Sequence, residues 1–364
     1  MRSLLVITVL PSSLCWAGGF AVTAWLVPDE APAWLALAVP VTTVIVHVPL
    51  RLMGAPRWVS NPLACTQEPW LPVVQIGRLG GDLAVTATLA LASSAVVLGL
   101  LGGREERLLA AAVAAVVLMV VGFGTLAHRA AVRRVDAQPT VRVAAIVADG
   151  ATAEGSETNG LIPIQSEVYR DVQGTIRRYA PHVARAAADG AHLVVLPEVA
   201  VSVDDGGAAW VAAAEAWARR HAVAIVVPFF DAAAPRNRLA IVDERGPVAR
   251  YEKQHPGRGL EPQRVERTPV GPHVLHVGGR QLVVSAAICV DLDYADLIAP
   301  LRRNGGLLAA PSNDWFGGFE ELHHRTAVWT AVLSGVTTVR ATGHGISAVF
   351  DGAGRLIARA SSRE

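Results

Sequence analysis

Four apolar runs fall within the first part of the chain, at roughly Leu4–Val27, Trp34–Leu52, Leu83–Leu101 and Leu108–Leu126. A helix needs about 20 apolar residues to cross the hydrocarbon core of a bilayer, and each run approaches that length. Residues 1–135 carry only 15 charged side chains, and the runs lie between them. Pro11, Pro40 and several glycines interrupt the runs, which membrane helices tolerate better than soluble ones. The first run alone also fits a signal peptide, with Arg2 at its start and Cys15-Trp16-Ala17-Gly18 near a cleavage site. Three further runs favour a multi-span anchor. The expectation is an all-α membrane region of about four transmembrane helices over residues 1–135, followed by a separate domain over 136–364.

Basic residues near the helix ends indicate orientation. With four crossings, Arg2, then Arg51, Arg57 and Arg78, then Arg129, Arg133, Arg134 and Arg142 share one side. The other side receives Arg104 and Arg107 beside Glu105 and Glu106, together with Asp29-Glu30. This distribution places the N-terminus and everything after residue 128 in the cytoplasm.

From about Val141 the pattern becomes that of a soluble α/β domain. Short β-rich runs occur at Val141–Val147, His192–Leu196, Val223–Phe230, Arg238–Val242, Leu282–Ile288 and Leu307–Ala310. Stretches with helical spacing, Glu167–Ala188 and Ala208–His221, lie between some of them. Thr152–Asn159 reads as a polar loop of small residues. About 225 residues is ample for one large core. A net charge of +1 and the lack of a basic stripe interleaved with aromatics argue against a nucleic-acid partner. Three scattered cysteines give neither a disulfide framework nor a zinc spacing. The adjacent pair His323-His324 points two ways on a helix, which favours a surface or packing role over metal ligation. The sequence calls for no cofactor.

Three polar residues end three predicted strands: Glu198 after His192–Pro197, Lys253 after Ala249–Glu252, and Cys289 after Leu282–Ile288. Lys253 is the only lysine among 32 basic residues. Its compact ammonium can point at a single oxygen, whereas arginine presents a broad fork that keeps its proton. Strand ends in α/β folds carry side chains into a crevice on a rigid support. A carboxylate, an ammonium and a thiol are the parts of a nucleophilic acyl-transfer site: the thiolate attacks, the carboxylate shuttles its proton, and the ammonium stabilises the oxyanion. Each residue also has an ordinary reading, Cys289 as a small buried hydrophobe, Glu198 as the end of a strand and Lys253 as a surface residue.

Leu196-Pro197-Glu198, Tyr251-Glu252-Lys253-Gln254-His255 and Ile288-Cys289 together resemble the Glu–Lys–Cys set of the nitrilase (carbon–nitrogen hydrolase) superfamily. Ser312-Asn313-Asp314-Trp315-Phe316-Gly317 and Arg340–Val349 are most similar to its membrane-bound branch, apolipoprotein N-acyltransferase. The resemblance covers residues 140–360. It implies a four-layer αββα sandwich and a Cys289 thioester that carries an acyl chain from a phospholipid to the N-terminal amine of a lipoprotein. It also implies a supporting role for Glu261 in Gly259-Leu260-Glu261-Pro262, where the alternative is a solvated loop acid.

The chain departs from that branch at several points. Val290-Asp291 stands where the branch has Tyr-Glu, the Ser-Asn-Asp-Trp segment is one residue shorter, and Thr330 and Leu333 replace an Arg and a Glu. The membrane region has fewer spans, and the sequence stops at Glu364 where the branch continues, so a truncated C-terminus is expected. The branch acts on the outer face of the cell membrane, opposite to the side the positive charges indicate. Two other functions fit the same residues. One is a membrane-tethered amidase acting on a small amide, and the other is a catalytically silent membrane scaffold.

Overall fold

A computed structural model describes residues 34–146, 170–257, 261, 265–314 and 320–361, together with Ala21 and Trp25. The chain divides into two compact units, Met1–Asp136 and Ala137–Glu364.

The described part of the first unit is helical: α1 (Leu35–Leu52), four single-turn helices α2 to α5 (Arg57–Ser60, Pro62–Cys65, Leu71–Val74 and Gly77–Gly80), α6 (Asp82–Leu101) and α7 (Arg104–Asp136). Helices α6 and α7 are each long and apolar enough to cross a membrane. They contain the third and fourth apolar runs of the sequence. The second run forms α1, whose apolar part over Ala38–Leu52 is shorter than that criterion requires. The first run lies outside the described residues apart from Ala21 and Trp25. Two candidate spans are therefore present among the described residues, where four are expected from the sequence.

Gly102 and Gly103 join α6 to α7, and a Cβ on Gly102 would meet the Glu106 Cβ at 2.3 Å, so this turn admits only glycine. Leu98, Ala110 and Val113 pack where the two helices meet. At 1.5 Å per residue, the 33 residues of α7 span about 50 Å, against about 30 Å of bilayer hydrocarbon. The exposed Arg129, Arg133 and Arg134 lie near the C-terminal end of α7, after the apolar run. At the other end of α6, Asp82 sits where a helix N-terminus favours negative charge. It pairs with Arg51 and accepts from Asn61 Nδ2 at 2.9 Å, while Thr86 donates to Asn61 Oδ1 at 2.8 Å.

In the second unit two six-stranded sheets are described. The first runs β1 (Val143–Ala145), β2 (Leu193–Val195), β4 (Ala224–Asp231), β5 (Arg236–Asp243) and β6 (Gly246–Glu252), with β3 (Ser202–Val203) also paired to β4. The second has the order β12-β11-β10-β9-β8-β7, formed by β7 (His273–Val277), β8 (Arg280–Ala286), β9 (Leu307–Ser312), β10 (Thr337–Thr342), β11 (Ile346–Phe350) and β12 (Leu356–Ser361). Each sheet has a parallel part, β1-β2-β4 at one side of the first and β8-β9-β10 in the middle of the second, extended by antiparallel strands. Buried parallel strands carry apolar residues on both faces, and every residue of β2 and β4 is buried. This explains why those two strands read as continuous apolar runs.

Helices α8 (Val172–Ala188) and α9 (Ala208–His221) pack together, and α9 lies against β4, β5 and β6. The side chain of Asp171 caps α8 by accepting from Gly174 N at 2.7 Å. Tyr179, Trp210 and Trp217 meet edge-on beneath these helices, and Trp210 Nε1 donates to the Pro228 carbonyl at 3.2 Å. On the second sheet, α10 (Ala295–Asn304) contacts β8, and α11 (Glu320–Ser334) contacts β10 and β11. Strands β1 and β2 meet β9 and β10, so the sheets face each other between their helices. The result is a mixed α/β fold with two facing sheets. Thr152–Asn159 lies outside the described residues.

Candidate active site

The strand ends carry the candidate residues, with one adjustment. Strand β2 ends at Val195, because Pro197 has no N–H to continue the ladder. Glu198 therefore stands three residues beyond β2, in a turn whose next residue, Val199, has φ +52°. Lys253 immediately follows β6 on the first sheet. Cys289 opens a 3₁₀ turn after β8, on the second sheet, and holds φ +55°. A non-glycine residue rarely adopts that left-handed conformation, and its cost is borne where surrounding structure fixes it.

Glu198, Lys253, Glu261 and Cys289 come together in the interior, at 1%, 4%, 9% and 8% exposure. Lys253 Nζ donates to Glu198 Oε1 at 2.8 Å and to Glu261 Oε2 at 2.7 Å. The solvated-acid alternative for Glu261 is thereby replaced by a buried carboxylate, which also accepts from Gly257 N at 2.7 Å. Two side chains not singled out in the sequence complete the cluster. Asn237 Nδ2 donates to Glu198 Oε1 at 2.7 Å and to Glu261 Oε1 at 2.8 Å, while its carbonyl accepts from Lys253 N at 2.9 Å. Asn313 donates from Nδ2 to the Glu198 carbonyl at 3.4 Å, and its own carbonyl lies 3.9 Å from Cys289 Sγ. Asn237 sits between Arg236 and Arg238, just before the apolar run Arg238–Val242, so pattern alone gave it no prominence. Asn313 belongs to a motif noted only for its resemblance.

The two glutamates share one ammonium but differ in charge preference. Burial opposes ionisation of Glu261, and Lys253 outweighs it with help from Gly257 and Asn237, so its pKa falls below the ordinary value. Burial dominates at Glu198, with the Glu261 charge adding to it, so its pKa rises despite Lys253. Glu198 Oε2 also accepts no hydrogen bond of normal geometry, although the Cys289 thiol interacts with this carboxylate. Environments that push two neighbouring carboxyls apart separate their roles. Glu261 is held toward its charged form, and Glu198 is shifted toward its protonated form. Burial opposes the Lys253 charge too, but the two carboxylates hold its pKa well above the ordinary value. Burial, then the Glu198 charge, pushes the Cys289 thiol well up, and Lys253 only partly counters them.

The segments that suggested the membrane-bound branch also converge here. Asp314 accepts two 2.8 Å hydrogen bonds from Arg340 Nη2 and lies 2.6 Å from His323 Nδ1. All three are buried. His323 and His324 are both buried on α11: His323 joins the Asp314–Arg340 cluster, and burial lowers the His324 pKa to about 4. Trp315, Phe316 and Gly317 lie outside the described residues.

Residues 160–364 match the carbon-nitrogen hydrolase family, over half of the chain. The chain belongs to that family. Among solved structures, an amidase from Nesterenkonia sp. is 23% identical with a TM-score of 0.44, covering 53% of this chain and 81% of its own. A mutant of the Nesterenkonia sp. AN1 amidase in complex with butyramide is 23% identical with a TM-score of 0.45, covering 53% and 82%. Saccharomyces cerevisiae Nit3, from branch 10 of the nitrilase superfamily, is 20% identical with a TM-score of 0.44, covering 53% and 82%. No protein of curated function matches the chain.

Asn237→Ala removes one donor from each of two buried carboxylates. A hydrogen bond to a charged group contributes about 1.5–3 kcal/mol, so the expected loss of stability is about 3 kcal/mol or more. Thermal melting measures it. Withdrawing a donor from the Glu198 carboxylate also raises its pKa further, which moves the acid limb of the pH–rate profile upward.

Proposed function

We propose that this chain is a cysteine acyl-transfer enzyme that forms a thioester on Cys289, with a phospholipid acyl donor and the N-terminal amine of a lipoprotein as acceptor. The observation that carries the chemistry is the buried Lys253 ammonium, held by Glu198 and Glu261 beside a cysteine at positive φ. In the first half-reaction Glu198 takes the thiol proton as sulfur bonds to the acyl carbon. Negative charge moves to the carbonyl oxygen, where Lys253 and a backbone N–H of the turn after Cys289 stabilise it. Collapse expels the lysophospholipid alcohol, which receives the proton from Glu198. In the second half-reaction the acceptor amine attacks the thioester, Glu198 takes the amine proton, and Cys289 leaves and is reprotonated.

The lipid donor rests on two supports. The motifs around Asn313 and Arg340 resemble apolipoprotein N-acyltransferase, and the same chain carries two helices apolar enough to cross a membrane. The second reading is a membrane-tethered amidase, in which water replaces the amine. The family match favours it, since carbon–nitrogen hydrolysis names the family as a whole.

Membranes containing the full chain, given phospholipid with a labelled acyl group, are expected to show hydroxylamine-sensitive label on Cys289. Turnover of a small amide without such label would establish the amidase instead. Neither reaction, with Cys289 inert to iodoacetamide, would leave only the scaffold reading. The lipoprotein acceptor also requires an outward-facing domain, so a C-terminal reporter active only in the cytoplasm would rule that acceptor out.

A further inference from the structure

Lys253 and Cys289 belong to different sheets, so something must fix the distance between an ammonium and a thiol on separate supports. The turn that starts at Cys289 contains a carboxylate, Asp291, that is completely buried. Its Oδ2 accepts from the Ile288 N–H at 3.1 Å, the residue just before the nucleophile, and from Tyr251 Oη at 2.8 Å, on β6. Its Oδ1 accepts from the His255 N–H at 2.8 Å, and the Gln254 N–H is shared between Oδ1 at 3.2 Å and Oδ2 at 3.3 Å; these are the two residues just after Lys253. One side chain thus holds the backbone on the N-terminal side of the cysteine and on the C-terminal side of the lysine.

We propose that Asp291 is a positioning residue that sets the reach from Lys253 to the oxyanion formed at Cys289. This inference rests on the acyl-transfer reading above. Both carboxylate oxygens must accept, because each faces at least one backbone N–H, which can only donate. Asparagine cannot reproduce that. Its amide nitrogen confronts either the His255 N–H or the Ile288 N–H, so whichever way it turns one of these two backbone bonds is lost and the tie between the segments loosens. The same contacts hold Cys289 in its left-handed conformation, since the bond from Ile288 N closes the turn in which that residue sits. The shorter aspartate, where the membrane-bound branch has glutamate, has direct bonds to both segments at this distance.

A second tie lies outside the first. The His255 ring stacks on Tyr294 with centroids 3.7 Å apart, and its Nε2 is 3.2 Å from both Asp296 carboxylate oxygens. It joins the same two segments, so loss of Asp291 leaves them associated while loosening their spacing.

The test uses the full-length chain with p-nitrophenyl butyrate as acyl donor and iodoacetamide as a probe of the thiol. Asp291→Asn is expected to lower kcat and the rate of the acylation burst about 100-fold or more, comparable to losing an oxyanion donor. KM should change less than threefold, and Cys289 should still be alkylated at close to the wild-type rate. A residue that merely stabilised the fold would lower alkylation specificity and melting temperature and leave the kcat of the folded fraction intact. Tyr251→Phe removes one donor and keeps the three backbone bonds, and an intermediate loss of about tenfold in kcat is expected from that milder loosening. It decides the matter if Asp291→Asn does not fold. Wild-type kcat in folded Asp291→Asn, or in Tyr251→Phe when that is the only folded variant, overturns the inference alone. A wild type with neither burst nor alkylation overturns the acyl-transfer reading and this inference with it.

Discussion

Lys253→Arg is expected to reduce kcat by about 10³-fold although it conserves charge. Removal of one oxyanion donor costs about 10²–10³ in kcat, and here the donor is also the electrostatic centre of the cluster. The Lys253 ammonium fits between two carboxylates at 2.8 and 2.7 Å, with almost no solvent access. A planar guanidinium in that space satisfies Glu198 and Glu261 only by moving them or by withdrawing from the sulfur. The Asn237 carbonyl holds the Lys253 backbone, so the chain cannot retreat to make room. Charge conservation should nevertheless keep the protein folded, because the two carboxylates retain a cation. Lys253→Met provides the contrast. It leaves two buried carboxylates without a counter-ion, and breaking a buried pair in this way costs about 3–5 kcal/mol. Loss of turnover with near-normal melting in the arginine variant, and loss of both in the methionine variant, is the expected pattern. Near-normal turnover of Lys253→Arg would remove the lysine from the chemistry.

The candidate site was legible in the sequence where chemistry and strand ends coincide. A lone lysine, a glutamate after Leu-Pro and a cysteine after a Val/Ile run stand out because each interrupts an apolar pattern. Asn237 and Asp291 do not. Asn237 lies in Arg236-Asn237-Arg238, where neither neighbour is apolar, and its importance comes from its place just past the β5–β6 pairing, where Arg238 stands opposite Glu252 and the Lys253 N–H donates to the Asn237 backbone carbonyl. Asp291 reads in the sequence as a shortened version of a family residue. Its role appears only when β6 and the turn after β8 are brought together in space. In the fold, the fully buried strands β2 and β4 are marked by continuous apolar runs, whereas β7 is partly exposed and β12 almost wholly exposed, and neither carries such a signature. The first unit shows a related limit. Hydropathy marks α6 and α7 well, but it cannot detect the Arg51–Asp82–Asn61–Thr86 chain, which forms because residues far apart in sequence meet at one helix end.

Glu198→Gln should move two measurements in opposite directions. Glutamine can still accept from Lys253 and Asn237 through its carbonyl oxygen, so the cluster keeps its shape, but it cannot take the thiol proton. General-base assistance contributes about 10²–10⁴-fold, and turnover is expected to fall by that amount. The thiol should nevertheless become easier to ionise. Burial raises the Cys289 pKa first and the Glu198 charge raises it second, while Lys253 lowers it. Neutralising residue 198 removes the second effect and leaves the third, so the thiolate fraction increases at a given pH. Alkylation of Cys289 by iodoacetamide should therefore accelerate in a variant that has lost its activity. The pH profile supplies the sign check. The Glu198 pKa is raised above its ordinary 4.5 in the folded protein, so wild-type activity should be absent at low pH and appear as pH rises through that higher value. Only the carboxylate form can act as base, and in the glutamine variant this limb should vanish from whatever activity remains. If alkylation and turnover fell together, Glu198 would be supporting the shape of the site rather than moving its proton. If neither changed, the proton would have to leave Cys289 by another route, and the neighbouring Glu261, whose pKa is depressed by Lys253, is a poor base for that task.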